Sequence, residues 1–117
     1  MKKTLYICIS LLVIVGCKKV VTKVAPTVST VPSSYTITAT TATIGGSITD
    51  DGGDPITARG VVYGLSPNPT IADGKTSDGT GIGTYTSIVS GLSPGKTYYF
   101  RTYATNSTGT SYGAQLT

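Results

Sequence analysis

The stretch GLSPGKTYYFRTYATNSTG (residues 91–109) decides the fold of this chain. Its middle, Thr97 to Thr105, is built from tyrosine, threonine and phenylalanine and has no helical spacing, so it reads as a β-strand. Successive strand residues face opposite ways. Tyr98, Phe100, Thr102 and Ala104 therefore point to one side, read as the core, and Tyr99, Arg101 and Tyr103 to the other. Gly91, Pro94 and Gly95 before the strand, and Asn106 and Gly109 after it, mark its ends as turns.

The same pattern extends outward on both sides. From Pro26 onward the chain is Thr, Ser, Gly, Val, Ile and Tyr, with no Glu and no His. Further strands are expected over Thr27 to Val31, Thr41 to Thr49, Thr57 to Tyr63, Thr84 to Val89 and Thr110 to Leu116. Shorter ones are expected within Tyr35 to Thr38 and near Thr70 to Lys75. Gly, Pro, Asp and Asn clusters separate them. About seven short antiparallel strands in a chain of this length give an all-β, immunoglobulin-like sandwich. One domain of this size buries somewhat over 60% of its unfolded surface.

Residues 91–109 resemble the end of a fibronectin type III domain. There Gly-Leu-x-Pro-Gly closes strand E, a tyrosine follows six residues after the leucine, and Ala-x-Asn ends strand F before a glycine turn. Leu92, Pro94, Gly95, Tyr98, Ala104, Asn106 and Gly109 stand at those places. The resemblance makes Tyr98 a tyrosine corner, its hydroxyl bonded back to the backbone near Leu92 and Pro94. It makes ARGVVYG (58–64) strand C, with Val61 and Tyr63 inward, and TATIGGSI (41–48) strand B, with Ala42, Ile44 and Ile48 inward. In detail the chain is similar to type III-like modules of Bacteroidota surface lipoproteins and multidomain proteins, where a DGG turn, ARGV, SPNPT and GLxPGxTYYxRxYATN recur in that order. The type III-like domain is expected over residues 26–117. The common module has a core tryptophan about where Gly46 stands here, so Tyr63 and Phe100 are expected to supply the missing volume. Such modules usually run on a few residues past Thr117. The chain then reads either as the first module of a longer protein or as a shortened frame.

The start of the chain is different in kind. Met1-Lys2-Lys3 is followed by thirteen uncharged residues, Thr4 to Gly16, which have the layout of a secretory signal peptide. The run is shorter than the ~20 apolar residues that a membrane-crossing helix needs. Ile14-Val15-Gly16-Cys17 resembles the lipobox of bacterial lipoproteins. That resemblance implies removal of residues 1–16, a diacylglyceryl thioether on Cys17 and usually an N-acyl chain. A thiol suits this chemistry because it is the side chain most nucleophilic at neutral pH. Each buried methylene adds about 0.8 kcal/mol, so two or three chains anchor stably where one does not. Residues 17–25 then form a basic tether with Lys18, Lys19 and Lys23. A plain signal peptide with a chance cysteine is the alternative.

Charge supports this division. The formal +4 belongs to leader and tether, because residues 25–117 carry Arg59, Lys75, Lys96 and Arg101 against five aspartates, a net of about −1. The basic pI is therefore no argument for nucleic acid as a partner. Cys8 falls in the leader and Cys17 is the lipid site, which leaves the domain no thiol for a disulfide, a metal or a nucleophile. With His and Glu absent as well, the usual general bases are missing and an enzyme is not expected. No cofactor is expected beyond the covalent lipid at Cys17.

Three clusters invite a functional reading. Asp50, Asp51 and Asp54 in DDGGD could contribute oxygens to calcium, which takes six to eight of them. Asp and Gly are equally the ordinary residues of a turn, and the spacing matches no calcium loop. SDGTGIGT (77–84) has alternating glycines but leads into a strand, whereas a phosphate-binding loop needs a helix N-terminus; it reads as a flexible loop. Tyr99, Arg101 and Tyr103, with Tyr112 beside them, form a candidate binding face for a protein or glycan, since Tyr and Arg favour interfaces. Cross-strand packing that supports the sheet is the alternative.

Together these readings predict an exported lipoprotein held to the outer membrane, on its periplasmic or its surface face. Its sandwich would serve protein or surface interaction, or act as a spacer. A carbohydrate-binding part of a glycan-uptake or adhesion system is the rival.

Overall fold

A computed structural model describes residues 3–8 and 17–117, with side chains from residue 23 onward except 32–34. Residues 9–16, with Ile14, Val15 and Gly16 of the expected lipobox, lie outside the described residues. Two strands precede the domain: β1 (Lys3–Cys8) pairs antiparallel with β2 (Cys17–Thr22), Cys8 opposite Cys17.

The rest is all-β, and every pairing is antiparallel. One sheet holds β3 (Thr27–Ile37), β4 (Ala42–Asp50) and β7 (Gly83–Val89) in the order β3-β4-β7. The other holds β5 (Ala58–Gly64), β6 (Gly74–Lys75), β8 (Tyr99–Thr105) and β9 (Thr110–Tyr112) in the order β6-β5-β8-β9. The pieces expected at 27–31 and 35–38 are a single strand, interrupted by a register shift between Val31 and Tyr35. The last expected strand is shorter than 110–116. Its ladder ends at Tyr112, Gly113 N–H still donates to the Thr102 carbonyl at 2.9 Å, and the chain returns to the sheet at one bridge, Phe100 to Leu116.

Alternation builds the core. Along β7 the exposed and buried residues alternate, with Tyr85, Ser87 and Val89 inside and Thr84, Thr86 and Ile88 outside. Two apolar clusters result. Ala42, Ile44, Val61, Val89, Leu92 and Phe100 fill one end of the sandwich, with Tyr35, Tyr63, Tyr98 and Leu116 packed against them. Val28, Ile48, Ile56, Tyr85 and Ala104 fill the other.

Phe100 is buried and Tyr63 packs partly buried against the first cluster, but the space over Gly46 itself is filled by Tyr85, which was not among the expected suppliers. Gly46 pairs directly with Tyr85, and a Cβ on Gly46 would stand 2.5 Å from the tyrosine ring. The ring thus occupies the space above the glycine, and its hydroxyl crosses to the facing sheet to donate to the Gly60 and Tyr103 carbonyls, at 2.7 and 3.2 Å. Tyr63 does the same on its own sheet, covering Gly74, which pairs with it.

Candidate interaction surfaces

Cys17 begins β2, opposite Cys8. Its side chain lies outside the described residues. The chain then reaches the domain through a clasp. Val24 N–H donates to the Gly52 carbonyl at 2.9 Å. Asn106 Nδ2 donates to the carbonyls of Val24 (2.7 Å) and Asp51 (2.8 Å), while its Oδ1 receives the amides of Thr108 and Gly109. Asn106 is 4% exposed and uses both ends of its amide, so it ties three loops together. The motif placed Asn106 at a strand end, but nothing in its spacing announced Val24 as a partner.

The three aspartates of DDGGD are engaged in this same region. Asp50 Oδ1 receives Gly52 N–H and Asp51 Oδ1 receives Gly53 N–H, each at 2.9 Å, the local turn that Asp favours. Asp54 accepts from the amide and hydroxyl of Ser107 and pairs with Lys23 at 3.5 Å. The Ser107 hydroxyl, chiefly, holds the Asp54 carboxyl below its ordinary pKa. Among the described residues no group of three or more potential ligands is placed to hold a metal ion.

Tyr98 accepts a hydrogen bond from Ser93 N–H at 3.0 Å, and its ring lies 6.3 Å from that of Phe100. Leu92 beneath it is buried, and Pro94 is exposed. This corner borders a recess of about 320 Å³ between Ile37, Leu92, Lys96, Tyr98 and Phe100.

The candidate binding face needs correction. Tyr99, Arg101, Tyr103 and Tyr112 do share the outward side of β8 and β9, but that side is roofed by residues 65–73. Pro69 is fully buried there, and its carbonyl receives two bonds from the Arg101 guanidinium. The same guanidinium lies 4.1 Å over the Tyr112 ring, and Tyr112 hydroxyl receives Ile71 N–H at 3.1 Å. Tyr103, expected in the open, is 1% exposed. Its hydroxyl donates to the Thr76 carbonyl at 2.5 Å, so the side chain spans β5 to reach the strip beyond it, and burial raises its pKa. Tyr99, Arg101 and Tyr112 are half-buried. The alternation named the side correctly; it carried no information about a loop folding back over that side.

The loop at 77–84, expected to be free, is also tied down. Arg59 Nε donates to the Asp78 carbonyl at 2.9 Å, and Nη1 to the carbonyls of Gly81 and Ile82. Its guanidinium also sits 5.1 Å over the Tyr85 ring. Burial, with Asp78 nearby, pushes the Tyr85 hydroxyl above the usual tyrosine range. Sequence reading had no pattern for this role of Arg59, because its partners are carbonyl groups, which every residue has.

The opposite sheet has a bare outer face. Thr84, Thr86 and Ile88 stand on it, Ile88 at 67% exposure, and a shallow depression of about 470 Å³ lies between Val31 and Thr86 over Gly45. Among the described residues no helix is long and apolar enough to cross a membrane. Comparison with protein-family models, with curated proteins and with solved structures finds no match to this chain.

Proposed function

We propose that this chain is an exported lipoprotein, anchored through lipid on Cys17, whose fibronectin type III-like sandwich serves as an interaction or spacer module at the outer membrane. The observation that carries the reading is the order Lys2-Lys3, thirteen uncharged residues, then Ile14-Val15-Gly16-Cys17. Removal of residues 1–16 takes away β1 and leaves Cys17–Thr22 as a tether. The clasp at Val24 supports such a tether by giving it a fixed point of entry. A catalytic role has little to draw on in a sequence without His or Glu. The glycan reading needs Tyr99, Arg101 and Tyr103 in the open, and with Tyr103 buried and Arg101 engaged no observation favours it.

Expression of the full chain in a Gram-negative host, with intact-mass analysis of the membrane extract, tests this. The expected product begins at Cys17 and carries added lipid, and Cys17→Ser moves the protein out of the membrane pellet. A chain of unmodified mass, or a Cys17→Ser protein that pellets as before, overturns the proposal.

A further inference from the structure

The four sheet edges of the domain are not equal. An open edge presents unpaired backbone groups, which proteins blunt with short strands, bulges, Pro or charge. β6 has two residues and β9 three. β3 contains Pro32, shifts register between Val31 and Tyr35, and is held to the stretch after β9 by Thr30, whose hydroxyl meets the Ala114 carbonyl and Thr102. β7 has neither Pro nor a register shift, and its one side-chain tie to the facing strip is that of the buried Ser87 hydroxyl to the Thr76 hydroxyl. It is seven residues long and runs in unbroken register against β4. Residues 79–95 contain no charged side chain. Among the described residues no backbone hydrogen bond joins β7 to any strand but β4.

We propose that the free edge of β7 is a homophilic interaction surface, pairing antiparallel with β7 of a second copy. With one usable edge in the domain, copies joined through it form a closed pair, because a growing chain would need two different edges there. A two-fold axis perpendicular to the sheet is the symmetry that keeps both outer faces on one side, and it makes the strands antiparallel. With the axis at Thr86, each Ile88 lies opposite Thr84 of the other copy and no like charges meet. Two three-stranded sheets become one of six strands.

The pairing has a direction. Gly83 lies opposite Ile48, near the end of β4 where Asp50 meets Thr27, so β7 starts at the tether pole. Antiparallel copies therefore send their tethers opposite ways. From Cys17 to Val24 the chain reaches at most about 25 Å, less than the roughly 30 Å length of a nine-residue strand such as β4. Two anchored copies so paired join facing bilayers. This last step, unlike the pairing itself, rests on the lipid anchor.

Sedimentation of the full chain in density-matched detergent tests the pairing at about 100 µM. Wild type should form a dimer, and Thr86→Lys and Thr86→Asp should each weaken it at least about tenfold while keeping the wild-type circular dichroism. An equimolar mixture of the two should restore it. Should either variant fail to fold, Thr84→Lys replaces it, with the same expected loss. A monomeric wild type, or a Thr86→Lys protein that dimerises unchanged, overturns the proposal. Reconstituted in phosphatidylethanolamine/phosphatidylglycerol vesicles, wild type should cluster them and Thr86→Lys should not. Dimers that leave vesicles dispersed overturn the joining of bilayers. Failure to float with vesicles at all counts against the anchor alone.

Discussion

The two sheets turn very different outer faces to solvent. Over β5 and β8 the segment 65–73 forms a roof, pinned by Arg101 to the Pro69 carbonyl and by Tyr112 to Ile71, and Val62 beneath it is fully buried although it points away from the core. On the other sheet Thr84, Thr86 and Ile88 of β7 are exposed, and among the described residues no loop is bonded across them. Both faces show the same period-two pattern in sequence. The lesson is that periodicity separates the two sides of a strand, while the fate of the outer side depends on side chains that reach backbone carbonyls in distant loops.

Perturbing this contrast from the inside should have the largest effect. Gly46→Val drives a branched side chain into the Tyr85 ring beneath the bare sheet, and a loss of about 3 kcal/mol is expected in urea unfolding. A loss under 1 kcal/mol means the tyrosine can leave without cost. Next comes the roof. Arg101→Ala removes the Pro69 bonds and the stack on Tyr112 together, for about 2 kcal/mol, and hydrogen exchange at Ile71 and Asp73 should quicken while β4 amides stay protected. Unchanged exchange there means the roof is held by apolar contact alone.

Thr84→Ala on the bare face should shift stability by no more than about 0.5 kcal/mol. A larger loss at low protein concentration means that this face is structured by something within the chain. The smallest effect touches neither face. The lowered pKa of Asp54 stabilises the fold above the ordinary carboxylate pKa, about 3.9, and that contribution is lost as pH falls below it. Asp54→Asn should therefore flatten the decline in melting temperature below about pH 4, and an unaltered acid limb shows that the Ser107 contact carries no weight.

Much of the architecture was legible in the chain. Strands β4, β5, β7 and β8 lie within a residue or two of their expected limits because alternation and flanking Gly and Pro mark them twice. β6 shrank to Gly74–Lys75, since most of its expected span belongs to the roof. Less of the candidate face was legible. Tyr103 and Arg101 have the composition of a recognition patch, yet each is consumed by a carbonyl, Thr76 in one case and Pro69 in the other, and carbonyls leave no mark in a sequence. Tyr85 was missed for a related reason: its place in the core depends on Gly46 having no side chain.

The grip of Asn106 on Val24 also decides where this molecule bends. Because Val24 is fastened to two loops, the chain cannot hinge where it enters the sandwich, and any swing must arise before that residue. Whatever precedes Lys23 is therefore coupled to the sandwich as to one solid body, because Lys23 and Val24 are already bonded into it.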